Sequence, residues 1–359
     1  MTENQKRIVL TGGGTAGHVM PHFALLDDFR NSGCELAYIG SSGIEKSLVE
    51  GAGLRFYQIQ AGKLRRYFSF KNFTDLFRIV IGFVQSLAIL LKLRPSVVFS
   101  KGGFVTVPVV FAAWVLRIPI VSHESDLTPG LANRLAGPFA KKIFYTFEET
   151  KKFLSREKAV YTGTPIRGRL KAGSKEKGLA HCGFTPDDSR PVVLVMGGSL
   201  GAKNLNERLL AEMPSLAVSF RFIHITGKGK STSYQNPGSY HSFEYVGEQL
   251  PDLFAATDLV VARAGANSIF EFLALNLPML LVPLEQGSRG DQIVNARSFE
   301  QKGWAHVAKE SDLAKNGLLE YLRRLSQEAD KIKESQLKSG KVGFSTGQFV
   351  EKILSCMKQ

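Results

Sequence analysis

The sequence predicts an α/β chain built as two doubly wound parallel-sheet domains. Three observations carry this. Short apolar runs alternate with longer helical stretches, as βα units on parallel sheets do. Glycine- and small-residue-rich strand-to-helix junctions occur in both halves. The 359 residues exceed the usual domain size of about 100–200 residues. In the first half the predicted strands are Arg7–Thr11, Glu35–Ile39, Arg55–Ile59, Ser96–Ser100, Pro119–Ser122 and Lys142–Tyr145. In the second half they are Val192–Met196, Arg221–Thr226, Phe243–Val246, Leu259–Arg263, Pro278–Val282 and Ala305–Ala308. Between the sets, Gly163-Thr164-Pro165 and the polar stretch from Lys171 to Arg190 read as the linker. Each half then offers a crevice at the carboxyl ends of its strands, where ligands bind in such folds.

Composition narrows the function. The chain is 44% hydrophobic and 22% charged, a balance that argues against both disorder and a multi-span membrane protein. Its net charge of +14 favours an anionic partner, whether nucleic acid, an acidic membrane surface or a phosphorylated ligand. Cys34, Cys182 and Cys356 are scattered, fitting a reducing compartment without a disulfide framework or a zinc site. The polar start Met1–Arg7 runs into a strand, so no secretory signal is expected.

One stretch departs from the alternation. Lys63, Arg65, Arg66, Lys71, Arg78, Lys92 and Arg94, with Asp75 as the lone acid, flank aromatics and the apolar run Ile79–Leu91. That run of 13 residues falls short of the roughly 20 needed to cross a bilayer. Two readings stay open: an amphipathic helix lying on an anionic membrane, or a core helix with a solvated basic edge.

The chemistry concentrates in the glycine-rich turns. Arg7–Thr11 runs into Gly12-Gly13-Gly14-Thr15-Ala16-Gly17-His18 and then an apolar helical pattern. Glycines there let backbone N–H groups approach a phosphate at a helix N-terminus. Gly12, Gly14 and Gly17 match the dinucleotide fingerprint, but Tyr38-Ile39-Gly40-Ser41-Ser42 brings no acid for an adenosine ribose, which disfavours NAD. His18 at the loop's mouth has the residue type for a general base, although a lone histidine is more often a satisfied structural residue. In the second half, Val192–Met196 leads into Gly197-Gly198-Ser199-Leu200-Gly201-Ala202, where Ser199 offers a hydroxyl to a phosphate. Leu259–Arg263 leads into Ala264-Gly265-Ala266-Asn267-Ser268, with Glu271 beyond. Its carboxylate could accept from two ribose hydroxyls or simply sit favourably at a helix N-terminus. No Walker lysine accompanies any turn, which disfavours an ATPase. From the residues alone, the conclusion is a phosphorylated ligand in an interdomain cleft.

With these residues assembled, the chain resembles the MurG family, glycosyltransferase family 28, along nearly its whole length. The resemblance rests on Gly13–His18, Lys101-Gly102-Gly103-Phe104, His123–Arg134, Gly163-Thr164-Pro165-Ile166-Arg167, Gly197–Ala202, Ala262-Arg263-Ala264-Gly265, Glu271 and Asp291–Ala296, in order and with matching spacing. Many members carry Gly-Gly where this chain has Ala16-Gly17. Many read His-Glu-Gln-Asn where it has His123-Glu124-Ser125-Asp126, and His-Gln where it has Asp291-Gln292.

The resemblance implies the two-Rossmann GT-B fold. An acceptor and membrane-association domain would span 1–164, with a last helix about 344–359 returning to it, and a UDP-GlcNAc-binding domain would span 165–343. It implies an inverting transfer of N-acetylglucosamine (GlcNAc) from UDP-GlcNAc to the C4 hydroxyl of MurNAc in lipid I, forming lipid II for peptidoglycan synthesis, cell shape and division. His18 is the first candidate base and Glu124 the second. Thr15, Ala16, Gly17, Asp126, Arg167, Ser199, Gln292 and Glu271, the backbone at Val246, and the Ala264, Gly265, Ala266 loop would contact the donor. Gly13, Gly14, Gly102 and Gly103 would form acceptor and diphosphate loops. Neither cofactor nor metal is expected, because helix N-termini, Ser199 and Arg167 can meet the leaving charge and no Asp-x-Asp motif ends a strand. The expected partners are UDP-GlcNAc, lipid I, the anionic inner leaflet and cell-wall synthesis and division proteins, without nucleic acid; the expected location is peripheral, on the cytoplasmic face of the cell membrane.

Three rivals share these features. A diacylglycerol glycosyltransferase would differ chiefly in its acceptor pocket. A sugar-nucleotide epimerase would not need the basic apolar stretch, and a non-catalytic UDP-sugar sensor would not need His18, Arg167, Ser199, Glu271 and Gln292 together.

Overall fold

The computed structural model describes residues 6–62, 70–198, 202–285, 290–340 and 343–357. The chain forms two compact units, Met1–Arg167 with Gly343–Gln359, and Gly168–Val342. The division falls after Arg167, beyond the expected boundary at 164. Residues 171–190 are not a linker: they include the helix Lys175–His181, packed within the second unit. A Cβ on Gly178 would lie 2.1 Å from the Asp252 carbonyl oxygen, so backbone meets backbone there.

The first unit is a seven-stranded sheet. Its strands are β1 (Arg7–Thr11), β2 (Glu35–Gly40), β3 (Arg55–Gln58), β4 (Val97–Ser100), β5 (Ile120–Glu124), β6 (Lys142–Tyr145) and β7 (Ala159–Tyr161). All pairs are parallel, in the order β3-β2-β1-β4-β5-β6-β7. The central strands are buried on both faces, which is why they read as continuous apolar runs rather than alternating ones. Val9, Val98 and Ile120 pack on one side with Leu90, Val109 and Ala113. Ile8, Phe99, Val121 and Phe144 pack on the other with Phe349, Val350 and Ile353.

Those last three belong to the helix Thr346–Leu354, opened by a capping box between Ser345 and Gln348. Phe349 stands edge-on to Phe99, Phe144 and His123 at ring-centroid distances of 5.9, 5.1 and 5.3 Å. The C-terminal segment is thus part of the first unit's core.

The helix Phe70–Leu93 has 24 residues, about 36 Å at 1.5 Å per residue, and so exceeds the 13-residue apolar run expected from the sequence. Its stretch Asp75–Leu93 is long and apolar enough to cross a membrane. Within the unit it lies against the helix Thr106–Val115, with Leu90, Ser86 and Asp75 buried. The Gln60 N–H donates to the Gln85 side-chain oxygen at 2.7 Å. The opposite face leaves Leu76, Phe77, Val80, Ile81, Val84 and Leu91 exposed, spaced as one stripe, and the neighbouring helix exposes Trp114 and Val115. Lys63, Arg65 and Arg66 lie outside the described residues.

The second unit is a six-stranded parallel sheet in the order β10-β9-β8-β11-β12-β13. The strands are β8 (Val192–Met196), β9 (Arg221–Ile225), β10 (Tyr240–Phe243), β11 (Leu259–Ala262), β12 (Met279–Leu281) and β13 (Ala305–Val307). β10 sits three residues before its expected place at Phe243–Val246. It is an edge strand, and its Tyr-His-Ser-Phe sequence lacks the apolar run that marked the central ones. Strand β7, another edge, had no counterpart among the predicted strands.

Candidate functional site

In both sheets the chain starts on a central strand, moves outward, then reverses. The reversal puts β1 beside β4, and β8 beside β11. The crevice outside the carboxyl ends at such a switch point is where open α/β sheets bind ligands. The three glycine-rich turns of the sequence leave β1, β8 and β11, and Gly102-Gly103 follows β4.

In the first unit the turns after β1 and β4 interlock. A Cβ on Gly103 would lie 2.1 Å from the Gly13 carbonyl oxygen and 3.1 Å from the His18 ring. Gly102 and Gly103 both have φ of +88°, and Gly14 has +85°, backbone that side-chain-bearing residues rarely adopt. The Lys101 N–H donates to the Thr11 carbonyl at 2.9 Å, and the His18 Nδ1 lies 3.2 Å from the Lys101 carbonyl oxygen. A carbonyl only accepts, so Nδ1 carries the proton and, in neutral imidazole, Nε2 carries the basic lone pair. Ala16–His18 form a short 3-10 turn, with Ala16 buried, Thr15 and Gly17 exposed and His18 half-buried.

The turn after β5 adjoins them. A Cβ on Gly102 would lie 3.1 Å from the Asn133 side-chain nitrogen, which donates to the Glu124 carboxylate at 2.9 Å and to the His123 carbonyl at 3.1 Å. Glu124 also accepts from the Asp126 and Gly130 N–H groups at 3.0 and 2.9 Å. Burial, with Asp126 adding, raises its pKa to about 7 against the pull of these donors. With both oxygens accepting hydrogen bonds and 4% exposure, Glu124 braces the turn. Asp126 is half-buried, and Arg167 is half-buried at the last position before the second unit.

Two buried side chains here had no role assigned from the sequence. Glu45 is fully buried, accepts from the Ser41 hydroxyl and N–H and from the Gly14 N–H at 3.4 Å, and so ties the first glycine turn to the turn after β2. Lys101 is 1% exposed, with its ammonium on His123 Nδ1 and the Ser125 hydroxyl. Burial brings it down to about 7, against the opposing pull of Glu124 and Asp126.

In the second unit, Gly198 (φ +84°) ends the described part of the turn after β8; Ser199 lies outside the described residues. After β11, Gly265 is the N-cap of the helix Ala266–Ala274. Glu271 lies on its second turn and is half-buried, while Asn295 fixes the loop by donating to the Ala264 carbonyl at 3.2 Å. The Gln292 side-chain oxygen accepts from the Leu284 N–H at 3.0 Å, tying the helix Asp291–Gln301 to the segment after β12. Arg263 is buried, reaching the Val282 carbonyl and Glu310. Val246 is buried in the loop beyond β10. The structure thus gathers Ala264, Gly265, Ala266 and Glu271 on one loop and helix, and gathers Gly13, Gly14, Gly102, Gly103 and His18 at the other switch point.

Two doubly wound parallel units with glycine-rich turns at both switch points make the GT-B fold. Solved structures of that fold align over nearly the whole chain: Acinetobacter baumannii MurG with a TM-score of 0.75 and 22% identity, covering 98% of this chain and 99% of its own. The glycosyltransferase CalG4 of calicheamicin aligns with 0.68 and 14%, covering 98% and 99%. The model of the glycosyltransferase family 28 N-terminal domain matches residues 8–145, and that of the C-terminal domain residues 192–351. A Geobacillus thermodenitrificans protein is 51% identical over 340 residues, covering 94% of this chain and 95% of its own. A Bacillus cereus protein is 48% identical over 345 residues, covering 95% and 97%. Both are named UDP-N-acetylglucosamine–N-acetylmuramyl-(pentapeptide) pyrophosphoryl-undecaprenol N-acetylglucosamine transferases. The chain belongs to glycosyltransferase family 28.

Proposed function

We propose that this protein transfers GlcNAc from UDP-GlcNAc to the C4 hydroxyl of MurNAc in lipid I, making the β-1,4 link of lipid II by a single displacement with inversion. The observation that carries the reading is the His18–Lys101 contact. It holds an imidazole at a sheet switch point with its lone pair on Nε2, the state a general base needs near neutral pH. The acceptor hydroxyl's proton passes to Nε2 as its oxygen attacks the anomeric carbon and the bond to UDP breaks. Glu124 shapes the neighbouring turn rather than moving the proton.

The second unit supplies the donor side. Ala264, Gly265 and Ala266, at a helix N-terminus, offer N–H groups and favourable partial charge to the diphosphate. Glu271 holds the ribose hydroxyls, the Val246 backbone faces the base, and Arg167, Ser199 and Gln292 complete the donor contacts. Thr15, Ala16, Gly17 and Asp126 lie toward the transferred sugar, while Gly13, Gly14, Gly102 and Gly103 receive the acceptor diphosphate. No metal ion is assigned a step.

A polyprenyl-linked acceptor requires the protein at a membrane surface. The exposed stripe Leu76–Leu91 supports docking on the cytoplasmic leaflet, and Lys92 and Arg94, which follow it in the chain, are exposed as well. Each basic residue near an anionic surface contributes about 1 kcal/mol.

The acceptor is tested by offering UDP-GlcNAc with a lipid I analogue, with diacylglycerol, or with neither. Disaccharide formed only with the lipid I analogue supports the reading. A glycosylated diacylglycerol, or epimerised sugar without an acceptor, would replace it by one of the rivals.

A further inference from the structure

Lys101 is a buried lysine that the proposed reaction does not use. Its side chain is inaccessible to any substrate at 1% exposure, yet its main chain lies at the centre of the candidate site. The N–H is fixed to the end of β1 through Thr11, and the carbonyl faces His18 Nδ1. The ammonium end is itself held. His123 Nε2 donates to the Gly163 carbonyl at 3.0 Å, which leaves Nδ1 as the acceptor for Lys101, and the Ser125 hydroxyl takes a second bond. Ser125 is one of the positions where many family members carry glutamine; here the short hydroxyl is what the lysine meets. The two residues that follow Lys101 are glycines with φ of +88°, so the main chain on that side contributes little stiffness of its own.

We propose that Lys101 is a positioning residue for His18: anchored by His123 and Ser125, it holds rigid the carbonyl that keeps the imidazole proton on Nδ1 and the lone pair on Nε2. This deepens the reading of His18 as the base and rests on it. Neutral histidine in water prefers the opposite tautomer, so the anchor works against an intrinsic bias.

The test reads the tautomer directly. Protein labelled with ¹⁵N-histidine, with His18 assigned by substitution, is studied by long-range ¹H–¹⁵N correlation at a pH where the ring is neutral. The wild type should show His18 protonated on Nδ1. In Lys101→Met the Nε2–H form should grow, and kcat should fall about tenfold or more while donor KM stays within about twofold. Ser125→Ala, which removes one of the two anchors, should move both readouts the same way by less, and it decides the matter if Lys101→Met does not fold. A wild-type His18 already protonated on Nε2 would overturn the proposal. So would a variant that keeps the Nδ1–H form, whether its kcat is unchanged or lowered. A tautomer shift in a protein that transfers no sugar would support the positioning role while sinking the transferase reading.

Discussion

Gly103 and Gly13 meet backbone to backbone: a Cβ on Gly103 would stand 2.1 Å from the Gly13 carbonyl oxygen. The contact joins the turns after β1 and β4 and places both against His18. Gly103→Ala meets two obstacles, that contact and a φ of +88°, and residues forced into such backbone cost about 1–3 kcal/mol. The variant should melt several degrees lower and lose most of its transferase activity. Gly51, with no atom within 4 Å of its Cβ position and no positive φ, gives the control: Gly51→Ala should leave both unchanged.

His18→Ala should lower kcat about 10²- to 10⁴-fold, the usual span for a general base, while UDP-GlcNAc affinity measured by calorimetry stays within a few-fold. Unchanged turnover would remove His18 from proton transfer.

Glu271→Gln keeps the shape of the side chain and removes its charge. Donor KM should rise about tenfold with acceptor KM unaltered. A donor KM equal to wild type would reject the ribose contact.

Phe77 and Val80 are more than half exposed on the long helix of the first unit. Replacing both by serine takes away apolar surface that burial would stabilise at about 0.8 kcal/mol per CH₂. Sedimentation with anionic vesicles should show affinity down about tenfold or more, with the melting temperature held. Undiminished binding would mean that membrane contact, if any, lies elsewhere.

Burial takes the His22 imidazole from 6.5 to about 3, with Lys101 and His18 adding to the effect. The ring stands edge-on to Tyr38 and Phe99 at 5.4 and 5.3 Å. The unfolded chain binds a proton at His22 below pH 6.5 and the folded chain does not until about pH 3. Stability from this group is therefore full above pH 6.5 and lost as pH falls through that window. The raised Glu124 works in the opposite sense, so the measurement is a difference. Between pH 7 and 5, wild type should lose about 2 kcal/mol more than His22→Phe in denaturant unfolding. Parallel losses would show that His22 is not buried in its neutral form.

The sequence revealed most where one signal was strong. β1, β6 and β8 fall at their expected residues because short runs such as Ile8-Val9-Leu10 lie between clear turns. Of the four edge strands, β3 and β13 fall within one residue of their expected ends, whereas β10, Tyr240-His241-Ser242-Phe243, is displaced by three and β7, only Ala159–Tyr161, has no predicted counterpart; neither of these two is apolar on both faces. The long helix extends past its apolar run to Phe70, where Lys71, Asn72, Thr74 and Asp75 interrupt the apolar sequence. Glycine turns and His18 were visible as motifs. The buried partner Glu45 was not, and Lys101 showed only as the first residue of the Lys101–Phe104 motif without a role, since nothing local marks a charged residue for burial. Glu45 had one faint signal, an acid just after the Gly40-Ser41-Ser42 turn that follows β2, beyond the place where a dinucleotide fingerprint expects one.

The central claim is transfer to a lipid-linked alcohol with inversion. It is tested most directly by incubating the purified chain with UDP-GlcNAc and a lipid I analogue while following UDP and product together. One β-1,4-linked disaccharide per UDP released is the predicted result. UDP released with free GlcNAc and no disaccharide, or an α-linked product, would contradict it.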